Sequence, residues 1–162
     1  ERATRIDYSS SQSSKQDTLD EFNLVGLTIS LPGRPNERTI PLPDSVKATL
    51  RSKDSYVYQK GTQTISVSRD VFVEEFDFAS RCDLVFEQLK GFDSNADQRK
   101  LSIDGVSGMC FRFEAGDGTY CSLLVFSTRT TLWQVQVLDV ASRSNNTKTL
   151  SENIFSSIRI TL

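Results

Sequence analysis

Between Asp97 and Val140 three tight-turn signals divide the chain into stretches that read as four antiparallel strands in a meander. Asp104-Gly105 has the residues of a type I′ turn, Gly116-Asp117-Gly118 offers a second turn, and Thr128 to Thr131 a third. If Phe113 faces Tyr120 across the second turn and Phe126 faces Trp133 across the third, one face carries Met109, Phe111, Phe113, Tyr120, Leu124, Phe126, Trp133, Val135 and Val137. That face is a core. The same registers put Cys110, Arg112, Cys121, Leu123, Val125, Gln134, Gln136 and Leu138 on the reverse, a mixed surface that something covers in part. Cys110 and Cys121 then share one face and are read as free thiols, although an oxidising compartment would favour a bond between them.

Upstream, the period changes twice. Leu27, Ile29 and Leu31 alternate with Thr28 and Ser30 and predict a strand that ends at Pro32-Gly33, because proline cannot donate the next ladder bond. Pro35, Pro41 and Pro43 mark extended loop, with Asp44 as the cap of a short turn over Ser45 to Leu50. Ser55 to Gln59 and Thr64 to Val73 read as a hairpin about Gly61. From Asp77 onward Phe78, Cys82, Val85, Phe86 and Leu89 fall at i, i+4, i+7, i+8 and i+11, which is one amphipathic helix with Asp77 as its N-cap and Gly91 as its C-cap. After the polar loop Ser142 to Asn146, Thr147 caps a second helix whose Leu150, Ile154 and Phe155 lie together, and Ser157 to Leu162 forms a last strand. The order is that of an α+β domain, an antiparallel sheet with helices packed on its faces in a three-layer α/β/α sandwich. Residues 1–22 are read as a flexible Ser/Gln-rich tether, and 23–162 as the single folded domain.

Composition narrows the chemistry. The 162 residues contain no histidine, which removes Ser-His-Asp and Cys-His nucleophilic pairs, imidazole zinc sites and the two-histidine iron site. Nineteen basic against 21 acidic residues leave a net charge of −2, so no basic excess draws the domain to nucleic acid or anionic lipid. No stretch approaches the roughly 18 continuous apolar residues of a membrane helix. The three cysteines, Cys82, Cys110 and Cys121, form no C-x-x-C pair.

Two acidic groups invite a catalytic or metal reading. Glu74, Glu75 and Asp77 precede the positive end of the first helix, where carboxylates serve its free N–H groups. Asp93, Asn95 and Asp97 occupy the first ligand positions of an EF-hand-like loop, and Asp104 stands at its twelfth. The match then fails, because Gln98 replaces the required glycine and Asp97 to Ile103 reads as strand. Asn145-Asn146-Thr147 spells a glycosylation sequon, a pattern that also fits a loop and cap.

Four segments carry a family likeness: Gly26-Leu27-Thr28-Ile29-Ser30-Leu31-Pro32-Gly33-Arg34-Pro35, Ile103-Asp104-Gly105-Val106-Ser107-Gly108, Leu132-Trp133-Gln134-Val135-Gln136-Val137 and Asn153-Ile154-Phe155-Ser156-Ser157-Ile158. From about Gly26 to the end the chain resembles the PsbP-like domains of bacterial envelope proteins. Ile158 stands where that family would have Phe or Leu. The resemblance implies a non-catalytic binding or accessory domain, secreted or tethered as a lipoprotein, with no cofactor. Relatives of this fold include photosystem accessory subunits and a nuclear Ran-binding group, so protein partners are a recurrent use of the scaffold.

The leading expectation is an extracytoplasmic module of the cell envelope that binds a protein or small ligand and meets a membrane only through an upstream anchor. The alternatives are an enzyme using carboxylates or a divalent metal, centred on Glu74, Glu75 and Asp77 or on Asp93, Asn95 and Asp97, and an intracellular partner-binding domain of the same fold. The candidate binding residues are Arg112, Gln134 and Gln136 on the reverse sheet face, with Arg34 and Arg38 on the nearby loop.

Overall fold

Alternation of apolar and polar residues sets where strands form, and the breaks in it set where they stop. In the computed structural model, which describes residues 18–39 and 41–161, the chain runs β1 (Asp20–Leu24), β2 (Leu27–Leu31), β3 (Asn36–Arg38), α1 (Asp44–Lys47), β4 (Leu50–Lys60) and β5 (Gln63–Phe72). It continues through α2 (Phe78–Phe92), β6 (Asp97–Ile103), β7 (Val106–Glu114), β8 (Thr119–Thr128) and β9 (Thr131–Val140) to α3 (Ser144–Ser156) and β10 (Arg159–Ile160). Seven strands make one antiparallel sheet in the order β3-β4-β5-β9-β8-β7-β6, and a smaller sheet has the order β10-β2-β1.

The class is α+β, with one change to the expected sandwich. Helix α2 covers one side of the large sheet, but α3 shares the other side with the small sheet, whose Leu27, Ile29 and Leu31 are fully buried there with Trp133, Val135, Ile154 and Ile158. Geometry explains the mixed layer. A helix of 13 residues is about 20 Å long, whereas seven strands span roughly 29 Å, so α3 alone leaves apolar surface that a second element must seal. The small sheet also begins earlier than expected: β1 starts at Asp20, inside the tether read as 1–22, and the Ser/Gln-rich part of that tether lies outside the described residues. Its hairpin turns on Val25 and Gly26, both left-handed at φ 48° and 78°. A valine in that conformation is uncommon, which is why the turn carries no recognisable sequence signal.

Helix α2 follows its predicted face, with Cys82 and Leu89 buried and Val85 and Phe86 packed beside them. The Asp77 carboxylate accepts from the Ser80 amide at 3.2 Å and from its hydroxyl at 2.9 Å, and these bonds hold its pKa below the usual carboxylate value. Gly91 does not end the helix as expected. The helix runs on to Phe92, whose ring meets Phe113 edge-on at 5.9 Å, and Asp93 is the C-cap. Asp44 is likewise not a cap but the first residue of α1, after Pro43, and makes no capping bond. Thr147 lies inside α3, buried, with its hydroxyl donating to the Arg143 carbonyl at 3.2 Å. The closing strand is only Arg159–Ile160, paired with β2.

The register of the meander is half as expected. Phe126 pairs with Trp133, and the Asp104-Gly105 turn has φ values of 50° and 83°, the left-handed pair a type I′ turn requires. Across the second turn, however, Phe113 pairs with Cys121 rather than with Tyr120. Ala115 and Thr119 close that turn, the Ala115 N–H donating to the Thr119 carbonyl at 2.7 Å, and Gly118 takes φ 84°. Three residues, not four, therefore form the loop, and a one-residue slip reverses every side chain of β7 relative to β8. Met109, Phe111 and Phe113 lie under α2 with Cys121, Val125 and Leu132, while Leu124, Phe126, Trp133, Val135 and Val137 face α3 and the small sheet with Cys110. Eight of the nine side chains read as one core are thus divided between two, and Tyr120 belongs to neither.

Candidate functional site

Where the two cores end, polar side chains take over the sheet. On the α2 side, β9 projects Gln134 and Gln136, whose neighbours on β5 are Ser68 and Ser66. These in turn pair with Ser55 and Val57 on β4, and Ser55 and Val57 pair with Arg38 and Asn36 on β3. Two rows therefore cross four strands on one face, Arg38-Ser55-Ser68-Gln134 and Asn36-Val57-Ser66-Gln136, each about 14 Å long by strand spacing. Neither row belongs to either apolar core, and only Gln134, at the end of the first, reaches α2, lining a small cavity with Phe78, Arg81, Cys82 and Val85. Beside the rows, Lys53 and Asp70 form an ion pair at 2.9 Å, and Gln136 Nε2 donates to Cys121 Sγ at 3.1 Å.

Three of the five predicted binding residues, Arg38, Gln134 and Gln136, share this face, with Arg38 at the far end of the row from Gln134. Arg112 does not, because the slipped register of β7 turns it to the α3 side. Arg34 lies apart as well, its guanidinium stacked over Phe22 of the small sheet at 5.4 Å.

Arg112 instead belongs to a corner built from β6, β7 and α3. Its Nη2 donates to Glu152 Oε2 at 3.0 Å, and Arg99 Nη2 lies 3.8 Å from the same oxygen. The two arginines line a cleft of about 320 Å³ with Asp97, Gln98 and Cys110. One helical turn before Glu152, Lys148 sits over the Tyr120 ring at 5.6 Å. Burial pushes the Tyr120 hydroxyl up to about 12 and raises the Cys110 thiol. The sequence pattern gives Arg99, Lys148 and Glu152 no role and reads Tyr120 as core. The only local trace is the i, i+4 spacing of Lys148 and Glu152 on one helix face, and nothing in it reveals β6 as the neighbour.

The acidic groups do not converge. Asp93 spends its carboxylate on the amides of Asn95 and Glu114 at 3.0 and 2.6 Å, closing the helix-to-strand loop. Asp97 and Asp104 stand at opposite ends of β6, roughly 23 Å apart along a seven-residue strand, and Asp104 accepts from the Ile160 amide at 2.9 Å. Asp93, Asn95, Asp97 and Asp104 therefore share no loop: as their spacing and Gln98 indicate, Asp97–Ile103 is strand. Glu75 pairs with exposed Arg129 at 3.6 Å while Asp77 caps α2, and no group of three or more metal-ligating side chains occurs among the described residues.

All three cysteines are free and buried, and the slipped register puts Cys110 and Cys121 on opposite sides of the sheet, which precludes a bond between them. Burial pushes Cys82 up to about 11 and Cys121 up to about 12, so thiolate is scarce at pH 8. A disulfide-exchange reagent at that pH should therefore label the native protein slowly and all three thiols at once in urea. Prompt labelling of a thiol in the native state would place it at the surface.

No family model matches the chain, and no curated protein matches it in sequence. Solved structures do. The solution structure of the cyanobacterial PsbP protein CyanoP from Synechocystis sp. PCC 6803 aligns with a TM-score of 0.59 at 14% identity, over 92% of this chain and 96% of that one. LpqN of Mycobacterium tuberculosis, described as involved in cell envelope biogenesis, aligns with a TM-score of 0.51 at 15% identity over 91% of each chain. A Pseudomonas aeruginosa protein of unknown function gives a TM-score of 0.51 at 9% identity, over 86% of this chain and 94% of that one. The chain has the PsbP-like fold.

Proposed function

We propose that this chain is a non-catalytic binding module that works in the cell envelope and holds a protein partner on the open half of its large sheet. The observation that carries the reading is the pair of rows Arg38-Ser55-Ser68-Gln134 and Asn36-Val57-Ser66-Gln136 beside the α2 layer, in which hydroxyls and amides predominate and all but Ser55 are half-buried or exposed. Short polar side chains lose little rotamer freedom on contact and offer both donors and acceptors, which suits an adaptable protein interface. The likeness to LpqN, whose description places it in envelope biogenesis, supports the address. Dispersal of the carboxylates supports the non-catalytic role, since acid-base or metal chemistry needs them to converge on one substrate.

Crosslinking in native cells tests both parts. With a photoreactive residue at Ser68 the protein should fractionate outside the cytoplasm and yield a discrete adduct, whereas the same residue at Thr149, an exposed position of α3, should yield none. Recovery in the cytosol, or an adduct from Thr149 alone, would overturn the reading.

A further inference from the structure

The corner between β6, β7 and α3 holds donors that the folded chain leaves unused. Arg112 Nε is buried and has no acceptor, and the hydroxyl of Ser122, its direct partner on β8, is fully buried and also unbonded. Two of the three orphaned side-chain atoms among the described residues thus sit on a single cross-strand pair. Buried donors are seldom left open, and each costs free energy until something accepts from it.

The chemistry of arginine says what that acceptor is. Nε–H and one Nη–H form a side-on fork whose spacing matches the two oxygens of a carboxylate. Glu152 fills only the Nη2 prong, with one oxygen, and it does so from a half-exposed side chain that can swing into solvent. Arg99 reaches the same oxygen from 3.8 Å, so a second guanidinium stands ready beside the fork. Around the fork stand two arginines and Lys148 against Asp97, Glu152 and Glu114, the cross-strand partner of Tyr120, and the balance becomes positive by one when Glu152 leaves. The adjoining cleft, about 320 Å³, is at the small end of ligand-sized pockets.

We infer that this corner is a binding site for a small organic carboxylate, which takes the Arg112 fork with Arg99 in support and displaces Glu152, an internal stand-in for the ligand. The site is separate from the open sheet face, so it adds to the proposed function without depending on it.

Titration with succinate, followed through the Arg112 Nε–H resonance of the whole chain, tests the assignment. Succinate should shift that resonance saturably. Glu152→Gln, which removes the competing charge from an exposed position, should tighten binding about tenfold, and Arg112→Lys, which lacks both the fork and that resonance, should give no saturable heat with succinate in calorimetry where the wild type does. Arg99→Lys should weaken binding severalfold in a protein whose urea midpoint is unchanged. No saturable shift in either the wild type or Glu152→Gln would overturn the inference and leave the sheet-face reading standing. Equal binding of inorganic phosphate would overturn the preference for carboxylate, and an unchanged affinity in Glu152→Gln would overturn the displacement.

Discussion

Trp133→Ala is expected to lower stability by about 3–5 kcal/mol, a large part of what a domain of this size possesses. The indole is fully buried, stacks on Phe126 at 5.2 Å with an interplanar angle of 18°, and donates through Nε1 to the Val25 carbonyl at 2.8 Å. Truncation leaves a cavity between the large and small sheets and cuts their one side-chain-to-turn bond at that point. Trp133→Phe keeps most of the packing and loses the bond, so it should cost about 1–2 kcal/mol. Urea titration of the three proteins gives both numbers. A loss under about 1 kcal/mol for the alanine variant would mean that the small sheet is not held by this residue.

Asp139→Ala is the second large effect, expected at about 2–3 kcal/mol from the loss of charge-assisted bonds. Its carboxylate is almost wholly buried at the end of β9, where it accepts from Thr62 Oγ1 at 2.5 Å and from the Val140 amide at 2.7 Å, with Arg143 Nε at 3.6 Å. It joins the β4–β5 turn, the end of β9 and the entry to α3. Asp139→Asn keeps one accepting oxygen and should lose about half as much. Equal losses in the two variants would show that charge, not acceptance, is what the site requires.

Much of this fold is written locally. Asp104-Gly105 forces its turn because few residues other than glycine occupy φ 83°, and the Phe78 helix follows from spacing and from the Asp77 cap. The second turn is less explicit. Gly116-Asp117-Gly118 accommodates a loop of either three or four residues, and the two choices put Phe111 and Arg112 on opposite faces. Because both sides of the sheet are apolar, alternation could not arbitrate. The candidate residues follow from that ambiguity: Gln134 and Gln136 stand on the face expected of them because β9 is in register, while Arg112 lies on the opposite side. The β1–β2 hairpin stayed hidden behind Val25, and the Arg99–Glu152 contact is set by tertiary packing that no local pattern encodes.

The strand order has a consequence for how the chain finds its shape. Strands β6 to β9 and the hairpin β4–β5 can each zip from neighbours in sequence, but the large sheet is complete only when β5 meets β9, as in the pairing of Thr64 with Leu138. That seam closes a loop containing α2 and the whole meander, so its entropic cost is borne before its contacts accrue. The middle of the finished sheet is thus expected to join last, and a chain stalled there would present two open edges at once, each able to pair with another molecule.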